Sequence, residues 1–194
     1  MVTLSYISPH YSWVILLFLK EEDGEGALAV VVPSGTGTTA VLLQKEINHI
    51  LNDKCLLPQI RVVAVPCVGD DEYLLRQMKS LDKVTGGNMK ENIPDILRPL
   101  IGAQRKYFTF GEPHAVILDT YRKMKDRYGL HLDLIYGSPV WSIILPYLEM
   151  GDKIIDCPLS GKQIMYLHCG GLEGISSQLI RYKHKKMIMD DEVQ

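Results

Sequence analysis

A run of apolar residues, Ala27-Leu-Ala-Val-Val-Val32, leads directly into Pro33-Ser-Gly-Thr-Gly-Thr-Thr39 and from there into a stretch with helical spacing. A continuous, valine-rich run of this kind suits a strand covered on both faces of a parallel sheet. After it, Ala40, Leu43, Ile47, Ile50 and Leu51 recur at the spacing of one helix face, so the segment from Thr38 to Leu51 reads as a helix. The two glycines between them permit a tight reversal. Strand, glycine turn and helix in this order constrain the chain more than any other feature, because parallel strands need a crossover between them.

The same rhythm continues. Ile60-Arg-Val-Val-Ala-Val65 reads as a second strand stopped by Pro66, and Asp70 or Asp71 can cap a short helix running to about Ser80. Residues 81–105 break the rhythm with Gly86-Gly87, Pro94, Pro99 and Gly102, and read as a long surface loop with short helical pieces. Pro113 opens a helix whose inner stripe is Ile117, Tyr121, Met124 and Tyr128, closed by Gly129. Leu132-Asp-Leu-Ile-Tyr136 reads as a third main strand, Val140 to Met150 as a helix, Ile164-Met-Tyr-Leu-His168 as a fourth strand, and 173–187 as the last helix. The fold class expected is α/β, a mostly parallel sheet with helices on both faces. The four strands should be neighbours with their carboxyl ends on one edge. The domain is placed at 27–189, with 1–26 as a poorly determined lead-in and 190–194 as a tail.

Composition narrows the function classes. With 46 % apolar and 23 % charged residues in a chain of 194, this is the make-up of a globular protein with a real core. The net charge of −2 gives no basic footprint for nucleic acid. The basic run Arg181 to Lys186 falls where a final helix would end and complements its dipole. Trp13-Val-Ile-Leu-Leu-Phe-Leu19 is the most apolar stretch. It is far shorter than the ~20 residues a membrane helix needs, and reads as a buried strand or a piece of buried helix. It has neither a basic leader nor a small-residue cleavage site, so no membrane or secretory role is expected and the cytoplasm is the default. Cys55, Cys67, Cys157 and Cys169 are widely spaced without a Cys-x-x-Cys pair, which fits a reducing compartment and no metal site.

Three loops carry candidate chemistry. In the first, Gly35 and Gly37 let backbone N–H groups turn inward, the helix start adds N–H donors and a positive dipole end, and Ser34, Thr36, Thr38 and Thr39 offer hydroxyls. Together they read either as an anion cradle suited to a phosphate monoester or as a tight turn with an ordinary Ser/Thr cap. An ATPase-type phosphate loop is excluded, because no lysine follows Gly37. The dinucleotide fingerprint survives loosely as Gly35-x-Gly37-x-x-Ala40, but wants an acidic residue at the end of the second strand, and Asp70 comes late. The second loop is Tyr166-Leu-His-Cys-Gly-Gly-Leu172. There Gly170 lets a flat ring approach closely and Cys169 can face a ring nitrogen, while His168 reads as a satisfied structural histidine. The third is Tyr136-Gly-Ser-Pro139, whose tyrosine either closes over a ligand or covers a core edge.

In this order, and over residues 28–186, these loops resemble the D-cysteine desulfhydrase and aminocyclopropane-carboxylate deaminase family. That family belongs to the tryptophan synthase β-like (fold type II) pyridoxal-phosphate enzymes. Val65-Pro-Cys-Val-Gly-Asp70 and Phe108-Thr-Phe-Gly-Glu-Pro113 look like the family's intervening segments, and Tyr166 to Leu172 resembles its Tyr-x-His-Thr-Gly-Gly motif beside the pyridine nitrogen. The resemblance implies pyridoxal 5'-phosphate as cofactor, a small amino acid as substrate and lyase or deaminase chemistry, and is compatible with a homodimer. It implies Ser34 to Thr39 for the phosphate, and Tyr136, Cys169 and Gly170 near the ring, with Tyr136 as the candidate catalytic side chain.

Departures from the family are as informative. Its Schiff-base lysine lies in an Asn-Lys-x-Arg-Lys-like stretch, followed by a Gly-Gly-x-x-Ser-Asn-His-like segment, and neither occurs in this sequence. Phe110 stands where the deaminases have tyrosine, Gly137 where they have glutamate, and Cys169 where desulfhydrase-like members have threonine. The sequence therefore corresponds to the C-terminal, phosphate- and ring-gripping part of such an enzyme, expected to be inactive alone. The alternatives are a non-catalytic module for the cofactor or another phosphate ligand, and a dinucleotide-binding oxidoreductase domain.

Overall fold

The computed structural model describes residues 2–6, 15–19, 27–52, 60–87, 90–100, 107–150, 154 and 156–189. Much of the lead-in 1–26 and all of the tail 190–194 lie outside them. The strands are β1 (Val2–Tyr6), β2 (Ile15–Leu19), β3 (Leu28–Ser34), β4 (Ile60–Pro66), β5 (Asp95–Ile96) and β6 (Gln163–Leu167). The helices are α1 (Thr38–Asn52), α2 (Asp71–Val84), α3 (Ala115–Tyr128), α4 (Gly137–Met150) and α5 (Ile175–His184). Short 3-10 turns occupy Lys90–Asn92 and Leu172–Gly174.

All six strands form one sheet in the order β1-β2-β6-β3-β4-β5. Strands β6, β3, β4 and β5 are parallel, whereas β1 and β2 form an antiparallel pair joined to the outer side of β6. The apolar stretch ending at Leu19 thus contributes a strand, through Ile15–Leu19. Central β3 explains its own composition. Val31 pairs with Val63 and Tyr166, and faces a core with Trp141 and Ile144 of α4. Val30 and Val32 face the opposite core, with Ala40 and Val41 of α1 and Leu74 and Met78 of α2. Each such valine, at most 5 % exposed, contributes roughly 1.5–3 kcal/mol by leaving water. Helices α1 and α2 therefore cover one face and α3 and α4 the other, while α5 packs on α3 through Ile117, Tyr121, Leu179 and Tyr182. The α/β class with helices on both faces stands.

Local signals account for most element ends. Asp70 caps α2 by accepting the Tyr73 N–H at 2.7 Å, and Gly129 ends α3 in the left-handed region at φ 63°. Helix α4 is apolar nearly all round, as a buried helix must be. Helix α3 starts at Ala115, so Pro113 lies just outside it rather than at its first position.

One expectation is overturned. Residues 132–136 are not a strand; they run irregularly into a turn, and the fourth parallel strand is β5, inside the segment read as a loop. The apolar signal was real, since Leu132 and Leu134 are buried. The backbone, however, bonds to the Asp133 side chain instead of a neighbouring strand: its carboxylate accepts the N–H groups of Ile135, Tyr136 and Gly137. That arrangement starts α4 at Gly137, three residues before the expected Val140. Strand β5 is two residues long, too short to show a period.

Candidate functional site

Sheet topology singles out one crevice. From β3 the chain moves outward through α1 to β4 and α2 to β5, and β6 then lies on the opposite side of β3. Connections diverge there, so the carboxyl ends of β3 and β6 border the place where open α/β sheets bind ligands. The loop after β3 is Gly35–Gly37, and the residues after β6 are His168–Gly171.

The β3 side is a strand, a sharp turn and a helix start. Gly37 takes φ 76°, and its carbonyl accepts the Val41 N–H at 2.9 Å, opening the α1 hydrogen-bond ladder. N–H groups of the first helical turn have no acceptor within the helix, and the dipole is positive there. Thr36, Thr38 and Thr39 are exposed, and the Thr36 and Thr38 hydroxyls share a hydrogen bond of 2.9 Å. No acidic residue occupies the first turn of α1, whereas α2 carries Asp71 and Glu72 in its own. Ser34 differs from the threonines: it is 2 % exposed and its hydroxyl donates to the Val32 carbonyl at 3.0 Å. Gly35 sits against Val68.

The β6 side is held by His168. Its Nδ1 accepts the Gly170 N–H at 3.0 Å, which leaves Nε2 to donate to the His131 carbonyl at 3.3 Å. Both ring nitrogens are thus engaged with backbone in a buried side chain, the structural role read from the sequence. Cys169 beside it is exposed. Gly170 and Gly171 adopt φ 85° and 89°, and a side chain on Gly170 would meet nothing within 4 Å. The turn therefore presents open space next to the Cys169 thiol.

Tyr136 forms the third wall. It is 38 % exposed, and its ring stands 5.6 Å from that of Phe110, tilted by 59°. Beneath lies Cys67, one residue past β4, whose N–H donates to the Ser34 carbonyl at 2.8 Å. Burial pushes the Cys67 thiol up to about 12, with the Asp133 carboxylate adding to the rise. Partial desolvation and the same carboxylate also raise Cys169. Tyr136 is raised by desolvation, then by the charges of Cys67, Asp133 and Cys169. Asp133, which holds the Tyr136 N–H, also packs against Gly171, and the Cys67 N–H bonds to the Ser34 carbonyl, so Tyr136, the glycine turn after Cys169 and the end of β3 are linked through short contacts. At neutral pH the thiols and the phenol are protonated, hence neutral hydrogen-bond partners. The sequence reading missed Cys67 and Asp133 as part of this site; an aspartate three residues before a tyrosine that precedes a helix was the available signal.

No protein-family model matches the chain, and no curated protein does. Among solved structures it is similar to the crystal structure of an ACC deaminase homologue, with a TM-score of 0.53 and 19 % identity, covering 84 % of this chain and 46 % of that one. The fold is shared. This chain spans about half the length of that homologue.

The residues present fit part of pyridoxal phosphate. Thr36 to Thr39 and the start of α1 suit its phosphate, and Cys169, Gly170 and Tyr136 suit the edge and face of its ring. A lysine for covalent attachment is not among the described residues around the crevice. Lys45 pairs with Asp82 and Thr85, Lys123 with Glu149, and Lys185 with Glu112. Asp70, the acid a dinucleotide site would want after β4, is committed to capping α2.

Proposed function

We propose that this chain supplies the phosphate- and ring-holding half of a pyridoxal-phosphate site of the D-cysteine desulfhydrase and aminocyclopropane-carboxylate deaminase kind, and that alone it holds the cofactor without covalent attachment. One observation carries the reading: an exposed threonine-rich helix start and an open glycine turn with a neutral thiol border the same topological switch point. A phosphate monoester on a flat heterocycle has the matching chemistry, an anion at one end and a ring with a basic nitrogen at the other. When bound, the cofactor supplies an electron sink for proton abstraction or bond cleavage on a small amino acid. Within this chain, Gly35 to Thr39 bind the phosphate, Cys169 meets the ring nitrogen, and Tyr136 with Phe110 shields one side from water. Among the described residues no group at the crevice replaces the attaching lysine, which in this chemistry also returns the proton. Orientation and acid–base help are therefore both lost, and the chain alone does not turn over.

The test is to titrate the 194-residue protein with pyridoxal phosphate, then reduce with borohydride and map any pyridoxyl group by mass spectrometry. Weak saturable binding, no pyridoxyl group on a specific lysine, and no pyruvate or oxobutyrate from D-cysteine or aminocyclopropane carboxylate are expected. Stoichiometric reduction onto one lysine, with turnover abolished when that lysine is changed to alanine, would show a complete enzyme instead.

A further inference from the structure

We propose that Asp133 is the positioning residue of the crevice, the group that fixes the spacing between Tyr136 and the Gly170–Gly171 turn; this rests on the cofactor reading above. Its side chain is buried, 3 % exposed, and both carboxylate oxygens are used. Oδ1 accepts the N–H groups of Ile135 at 2.8 Å and Tyr136 at 2.6 Å, and Oδ2 accepts that of Gly137 at 2.8 Å. The main-chain carbonyl of Asp133 accepts the Ser138 N–H at 2.8 Å. The same side chain touches the other wall: a Cβ on Gly171 would stand 3.3 Å from Asp133 Cβ and Cγ. Gly137 is held as closely, with Asp133 Oδ2 3.0 Å from where its Cβ would be.

Helix capping alone does not call for this arrangement. One side-chain oxygen on one N–H suffices for a cap, and serine or threonine serves. A buried carboxylate with three N–H donors, packed on a glycine from another element, resists displacement in every direction, because moving it strands a charge away from water. Adjacent Leu134 is anchored as well, its N–H donating to the buried Gln178 of α5 at 2.6 Å. The Tyr136 backbone is therefore tied through Asp133 to Gly171. A fixed gap is of little use for a bare phosphate held at the β3 end, but it decides whether a flat ring attached to that phosphate fits. Asp133 thus sets the preference for a ring-bearing phosphate over inorganic phosphate. Its charge also bears on Cys67, Tyr136, Tyr166 and Cys169 alike.

The experiment compares pyridoxal phosphate with inorganic phosphate as ligands of the wild-type chain, Asp133→Asn and Asp133→Ala. Asparagine keeps Oδ1 and turns an amide donor toward the Gly137 N–H. Loss of one charged hydrogen bond predicts about tenfold weaker pyridoxal phosphate binding in Asp133→Asn, more in Asp133→Ala, with inorganic phosphate unchanged in both. Equal weakening of the two ligands, or of neither, overturns the positioning role while leaving the cofactor reading intact. Failure of the wild-type chain to bind either ligand overturns the reading, and the ligand role of Asp133 with it. Should the variants not fold, hydrogen exchange on the wild-type protein decides: slow exchange at Ile135, Tyr136 and Gly137 without ligand is expected, and fast exchange at all three in the folded chain refutes the proposal.

Discussion

Gly37 and Met78 are packed so closely that a Cβ on the glycine would overlap Met78 Cγ and approach its sulfur to 3.1 Å. The turn that presents the anion cradle is therefore set by α2 as well as by its own backbone. Gly37→Ala adds a methyl against Met78 and Leu74 and forces alanine to φ 76°. The expected loss is roughly 1–3 kcal/mol, read as a lower urea midpoint at unchanged slope. Gly35→Ala is the control: its Cβ would meet Val68 at an ordinary 3.6 Å, so its stability should change by less than about 1 kcal/mol.

Removing His168 should unfasten the glycine turn. In His168→Ala, the Gly170 N–H and the His131 carbonyl both lose their partner, and a buried ring is replaced by a void. Each of these part-buried hydrogen bonds contributes about 0.5–1.5 kcal/mol, so a drop of about 1–3 kcal/mol is expected in denaturant unfolding. Amide exchange at Gly170 should quicken in the folded variant. An unchanged exchange rate there would mean that the turn is held by something other than the imidazole.

How far these features could be read in the sequence depends on how local their causes are. Strands β3 and β4 are legible because each is buried along most of its length and flanked by turn residues, and β6 because its apolar run ends at paired glycines, although only Ile164 and Tyr166 in it are buried. Asp70 and Gly129 were legible as helix ends because a cap acts within a few residues. The segment 132–136 has the apolar pattern of a buried strand without forming one: Leu132 and Leu134 are buried in separate clusters while Asp133 takes the backbone donors. Strand β5 left no signal, since its pairing is dictated by β4 and not by its own pattern. Of the candidate site, the phosphate loop and glycine turn were visible as motifs. Cys67 enters only because parallel pairing carries β4 one residue past Pro66, to the Ser34 carbonyl, a long-range fact no local pattern contains.

Alkaline pH should destabilise the protein through Cys67. Its folded pKa, about 12, lies above the ordinary 9.0 because burial disfavours the thiolate. Below pH 9 both folded and unfolded states carry the proton, and the contribution is intact. Between about 9 and 12 the unfolded chain releases the proton while the folded one retains it, so stability falls as pH rises. Tyr166, raised well above 10.0 by full burial, acts with the same sign at higher pH. Thermal unfolding of wild type and Cys67→Ala across pH 8–11 checks this: the wild-type midpoint should fall more steeply, and parallel curves would rule Cys67 out as the cause.

The buried and the exposed cysteine at the crevice should also separate chemically. At pH 8, iodoacetamide should modify Cys169, which is exposed, and leave buried Cys67 untouched until the chain unfolds. Asp133 helps raise the Cys169 thiol, so Asp133→Asn should lower its pKa and speed labelling. Labelling rate against pH, followed by peptide mass spectrometry, should show a midpoint above 9.0 for wild-type Cys169 and a lower one for the variant.

The sharpest discrimination between an anion cradle and an ordinary helix start comes from adding charge to α1. Its first turn has no acidic residue, and Thr39 is exposed there. A carboxylate at this position interacts favourably with the helix dipole, so Thr39→Asp should stabilise the free protein by about 0.3–1 kcal/mol at low salt. If the turn's purpose is to receive a phosphate, the same carboxylate occupies its field and repels the ligand, so binding of inorganic phosphate and pyridoxal phosphate should weaken together. The two effects have opposite signs, which a general loss of structure cannot produce. Thr39→Val, which removes the hydroxyl without adding charge, should leave the helix dipole unanswered and weaken phosphate by a single hydrogen bond, about two- to tenfold. Urea unfolding and phosphate titration on the three proteins provide the check. Stabilisation by Thr39→Asp with phosphate binding unchanged would place the anion elsewhere and reduce Gly35 to Thr39 to a simple turn.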